Sequence, residues 1–92
     1  MLVLELHRPE RHHAVNRALA EAVVGAFDAA ETADDIAVVI VTGSGEQAFC
    51  AGQDMLEASG LEDGAPDPHT SSAMLAVERL ERTPLPVIAA IN

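Results

Sequence analysis

Three stretches of this 92-residue chain carry residue types whose spacing could support chemistry: His7, Glu10, His12 and His13; Gly43-Ser44-Gly45; and the loop Ala48 to Met55. The histidine group invites a metal. Yet adjacent residues such as His12 and His13 point to opposite sides of a strand and lie about 100° apart around a helix. Neither geometry gathers them on one ion, so no metal site is expected, and a solvated or phosphate-facing basic loop fits the residues better. Val41 to Ala48 matches the letters of the G-x-G-x-x-G/A dinucleotide fingerprint. That motif works only when a helix starts at once and aims its N-terminus at the pyrophosphate. Here Phe49-Cys50-Ala51-Gly52 follows instead, so a tight turn explains the glycines. Cys50 has no specified base beside it. Ser44, Ser59, Ser71 and Ser72 lack the strained G-x-S-x-G setting of hydrolase nucleophiles.

The loop Ala48-Phe49-Cys50-Ala51-Gly52-Gln53-Asp54-Met55 offers main-chain chemistry instead. Small residues at 50 to 52 let a ligand approach the backbone closely. A short helix starting at Gln53 or Asp54 would leave N–H groups without intrahelical partners, suited to an oxygen that gains negative charge. An ordinary helix entry with Asp54 as its cap accounts for the same residues.

The elements that must position this loop read as alternating α and β. Leu2 to Leu6 is a short β-rich run stopped by Pro9. Asn16 is a plausible N-cap, and Leu19, Val23, Ala26, Phe27 and Ala30 recur at helical steps until about Thr32, before a turn at Ala33-Asp34-Asp35. Ile36 to Val41 is a continuous β-branched run of the kind buried on both faces among parallel neighbours. Ser59 to Pro68, rich in Gly, Pro and acids, reads as a mobile surface loop. A second helix is predicted from Thr70 or Ser71, with Met74, Val77 and Leu80 or Glu81 on its repeat and Pro84 and Pro86 ending it. Pro86 to Ile91 then begins another buried strand, and the chain stops at Asn92. A buried strand at that point predicts a fragment or one segment of a larger fold.

Composition narrows the function classes. Five Arg against fifteen acids leave a net charge of −10, which disfavours nucleic acid and anionic membranes as partners of the whole chain. Arg8, Arg11 and Arg17 nevertheless share the first seventeen residues with three of the four histidines, so an anion could be met locally. The single Cys50 excludes an intramolecular disulfide and fits a reducing compartment. With Glu5, His7 and Arg8 interrupting the first apolar run, and no apolar stretch of membrane-spanning length, a soluble cytoplasmic protein is expected.

Four segments in register resemble the crotonase (enoyl-CoA hydratase/isomerase) family: Arg8 to Asn16, Ala37 to Gly43, Ala48 to Met55, and Pro86 to Asn92. The resemblance implies an α/β fold, with residues 1–92 forming the amino-terminal part of a crotonase-like ββα spiral, incomplete as a domain. It implies an enzyme, a hydratase (lyase) or isomerase of fatty acid metabolism. Such an enzyme acts on an acyl-CoA thioester and stabilises the thioester enolate in an oxyanion hole of two backbone N–H groups. The Gln53 N–H would be the first donor. Arg11, His12, Ala14, Ala51, Gln53, Asp54 and Met55 would line the CoA and acyl path. Coenzyme A enters as part of the substrate, with no further cofactor, and a homo-oligomer (trimer or hexamer) is implied. Two departures stand out. His13 replaces the Asn common before the alanine at position 14. The chain also stops before the turn that carries the second oxyanion donor and before the acid/base carboxylates. The 92 residues alone are therefore expected to be inactive. A non-catalytic acyl-CoA-binding or assembly module is the alternative reading.

Overall fold

The computed structural model describes residues 1–54 and 72–92, so the predicted Ser59–Pro68 loop lies outside the described residues. The element order is β1 (Leu2–Leu6), a 3-10 turn (Pro9–Arg11), α1 (Arg17–Thr32), β2 (Val39–Gly43), α2 (Ser72–Arg82) and β3 (Val87–Ala90). The three strands form one parallel sheet in the order β1-β2-β3, with Leu2 beside Val39 and Val39 beside Val87. Parallel neighbours need long crossovers, and each helix lies in one of them.

Local chemistry explains most boundaries. Asn16 caps α1, its side-chain oxygen accepting the Leu19 N–H at 2.9 Å. The helix buries Ala20, Val23, Phe27 and Ala30. Val23, Phe27 and Ala30 belong to the predicted stripe, and Ala20 adds to it. The β-branched run pairs later than predicted, from Val39 rather than Ile36. Its partner β1 begins only at Leu2, whose N–H reaches the Val38 carbonyl at 2.9 Å. A strand forms only where a partner can take its hydrogen bonds.

Leu6, Val15, Val23, Phe27, Val39, Val41 and Ala76 make the core between the sheet and the helices. On the other face of the sheet, Val3, Ile40 and Ile88 stand in one row across the strands. Val3 is 51% exposed and Ile88 53%. The expectation of strands buried on both faces is therefore corrected. Among the described residues helices cover one face only, and β3 is an edge strand, half-buried at Val87 and exposed beyond it.

The face of α2 is also corrected. Met74 and Val77 are exposed, while Ser72, Ala76 and Arg79 are buried. The cause lies on α1. Arg79 forks onto Asp28 at 3.0 Å and Glu31 at 2.5 Å, with its guanidinium 5.8 Å from the Phe27 ring centroid. Arg79, and then the Thr83 hydroxyl, draw the Glu31 carboxyl down to a pKa of about 2. Hydrophobic periodicity ignores such a pair because it counts only apolar positions.

Candidate functional site

Two loops leave the carboxyl ends of adjacent parallel strands, residues 7–16 after β1 and 44–54 after β2. That end is where open α/β sheets commonly hold ligands. Main-chain hydrogen bonds stitch the loops together: Ala51 N–H to the His12 carbonyl at 3.0 Å, Val15 N–H to Gly52 at 2.6 Å, and Asp54 N–H to Val15 at 2.9 Å. The bridge pairs Val15 with Gln53 in parallel. Gln53 is thus extended and is not the first residue of a helix, while the stretch that a helix starting at Asp54 would occupy lies outside the described residues. Because N–H directions alternate along extended chain, the bonds at Gly52 and Asp54 turn the Gln53 N–H away from Val15. Gly52 takes φ +93°, open to glycine and strained for other residues.

Gly43 sets how closely the loops approach. A Cβ there would lie 2.5 Å from the Ala48 carbonyl oxygen, 2.6 Å from that of Phe49 and 2.8 Å from the His13 ring. Gly45, at φ +74°, makes the turn that follows. No helix follows these glycines through Asp54, so the dinucleotide geometry is absent there. Asn92, just beyond β3, donates to the carbonyls of Gly43 and Gly45 and ties the turn to the third strand.

His12 and His13 are both left-handed, with φ of 51° and 58°. Asn and His are among the side chains that tolerate this region best. His13 therefore meets the same backbone demand as the Asn it replaces. Its buried ring accepts the Arg8 N–H at Nδ1, 2.9 Å away, and faces the Ser44 carbonyl with Nε2 at 2.9 Å. An amide can only donate and a carbonyl only accept, so the ring carries its proton on Nε2. His12 is exposed. The structure thus separates the two histidines, and no cluster of three metal-ligating side chains occurs among the described residues.

Arg8 departs from the expected solvated or phosphate-facing basic loop. Its Nη1 contacts the Ala14 carbonyl at 2.9 Å and Asp54 Oδ2 at 2.5 Å. The Arg8 side chain is 16% exposed and that of Asp54 2%. Nothing local in the sequence marks this pair, whose members lie 46 residues apart. A nearly buried carboxylate requires a partner, but only the fold identifies it.

Arg11, His12, Ala14, Ala51, Gln53 and Asp54 line one cleft of about 370 Å³, together with Glu10. The structure brings together every sequence-predicted site residue except Met55, which lies outside the described residues. The Gln53 side chain has a separate task, since its Oε1 accepts the Ala73 N–H at 2.8 Å and so caps α2. Cys50 is half-buried and packs against the core. Among the described residues no helix is long and apolar enough to cross a membrane.

The family model for enoyl-CoA hydratase/isomerase matches residues 1–92. YngF of Bacillus subtilis, described as an enoyl-CoA hydratase/isomerase, is 34% identical over 92 residues, covering 100% of this chain and 35% of its own length. The 2,3-dehydroadipyl-CoA hydratase of Escherichia coli is 35% identical with the same coverage. The crystal structure of an enoyl-CoA hydratase from Bacillus anthracis superposes with a TM-score of 0.81 at 33% identity, over 98% of this chain and 35% of that one. The chain spans about a third of the length of the relatives it matches. With a match from end to end, in sequence and in backbone, the chain belongs to the enoyl-CoA hydratase/isomerase family.

Proposed function

We propose that these residues supply the CoA-binding cleft and the first oxyanion donor of an acyl-CoA-processing enzyme, a hydratase or isomerase. The observation that carries this reading is the convergence of Arg11, His12, Ala14, Ala51, Gln53 and Asp54 on one cleft. Arg11 and His12, exposed on that cleft, suit the nucleotide phosphates of CoA. The Gln53 N–H, turned away from Val15, is the donor to the thioester oxygen. It stabilises the negative charge that grows there as the enolate forms, and a preorganised donor of this kind is worth about 10²–10³ in rate. Asp54 supports the loop through Arg8 rather than exchanging protons. A second donor and the acid/base carboxylates belong to the remainder of the family fold. The 92 residues alone therefore bind acyl-CoA weakly and do not hydrate it. Homo-oligomeric assembly, as a trimer or hexamer, and a cytoplasmic setting in fatty acid metabolism complete the reading.

Calorimetric titration with butyryl-CoA and with NADH tests the reading. Heat from the thioester alone is expected, and binding of NADH with indifference to CoA would reverse it. Rapid turnover of crotonyl-CoA by the 92 residues would refute the claim of inactivity. A second reading, a non-catalytic acyl-CoA-binding or assembly module, draws on the exposed row Val3 and Ile88 and the open edge of β3. Turnover of crotonyl-CoA by a longer chain that contains these residues separates the two, since an assembly module would remain catalytically silent there.

A further inference from the structure

We infer that Arg8 is a positioning residue for the oxyanion donor, acting through Asp54 and the Ala14 carbonyl, and this rests on the reading of Gln53 proposed above. A single guanidinium nitrogen, Nη1, touches both acceptors, one on each loop. Ala14 immediately precedes Val15, whose N–H and carbonyl bind Gly52 and Asp54 on either side of Gln53. Arg8 therefore closes a clasp around the peptide that presents the donor. The clasp is largely shielded from water, with Asp54 2% exposed and the Arg8 side chain 16% exposed, so its charge-assisted bonds are little weakened by solvent. The main chain of Arg8 is fixed as well, its N–H held by His13. An arginine at this place is thus spent on holding the loop and is not available to CoA phosphate. An oxyanion donor that drifts by even about 1 Å loses much of its effect, which is why a residue outside the cleft lining governs the site.

The test is amide NMR on the 92-residue chain, titrated with butyryl-CoA and with the thioether butyl-CoA, which lacks the carbonyl. In the parent chain, the Gln53 amide should shift further with the thioester, while the amides of Arg11 and His12 respond equally to both. In Arg8→Met the thioester-specific shift at Gln53 is expected to be lost while the CoA responses persist. Arg8→Lys, which keeps the charge, should recover part of it. Asp54→Asn keeps size and shape and serves if Arg8→Met does not fold; there the thioester-specific shift at Gln53 is again expected to be lost. A merely structural role would instead diminish both responses together. A folded Arg8→Met or Asp54→Asn chain with the parent's thioester-specific shift would overturn the inference. A parent chain that does not distinguish thioester from thioether would overturn the role of Gln53 itself.

Discussion

Gly43→Ala should destabilise this protein, whereas Gly25→Ala should stabilise it, although both changes add one methyl group. At Gly43 the new Cβ would sit 2.5 and 2.6 Å from two carbonyl oxygens, of Ala48 and Phe49, and 2.8 Å from the His13 ring. Real Cβ atoms essentially never come closer than 3.0 Å to a neighbour. The loop must therefore retreat by about 0.5 Å, from 2.5 Å, to reach even that limit. The obstacles are backbone, and the ring is held at both nitrogens, so no flexible side chain can simply swing aside. Overpacking of this kind costs about 1–3 kcal/mol, and the upper value, about 3 kcal/mol, applies here. Gly25 lies within α1 with nothing within 4 Å of its would-be Cβ. Alanine there gains about 0.8–1 kcal/mol of helix propensity. With a urea m-value of about 1 kcal/mol/M, the two midpoints should move by about 3 M downward and 1 M upward. Urea titration followed by far-UV circular dichroism measures both. A Gly43→Ala chain as stable as the parent would refute the close-approach argument, since the backbone would then have room that the geometry denies it.

Removing the α1 cap by Asn16→Ala should cost about 1 kcal/mol, read as a lower urea midpoint, because the Leu19 N–H loses its partner. Phe27→Leu should cost about 1 kcal/mol and Phe27→Ala about 4 kcal/mol by differential scanning calorimetry, since Phe27 is fully buried and a truncated ring leaves a cavity. Acid stability should depend on Glu31, whose folded pKa of about 2 lies below its ordinary value of 4.5. Its contribution is whole above the unfolded value and drains away as pH falls from there through about 2. Glu31→Gln should therefore lower stability at neutral pH and flatten its decline between pH 5 and 2 (thermal melts across that range). An unchanged acid limb would remove Glu31 from the account.

What the sequence determined by itself is local. Asn16 followed by apolar residues at steps of three and four requires a capped helix, because cap and periodicity act within a few residues. Partners distant in sequence were decided by the tertiary structure. Arg8 reads as part of a basic island until Asp54, 46 residues away, takes it inward. Arg79 lies off the apolar repeat of Met74, Val77 and Leu80 or Glu81, yet Asp28 and Glu31 make it the buried residue and leave Met74 and Val77 outside. Gln53 or Asp54 reads as a helix start, but Val15 pairs with Gln53 and holds that residue extended. In each case the deciding term is an electrostatic or hydrogen-bonding partner brought near by folding, whose presence no spacing along the chain records.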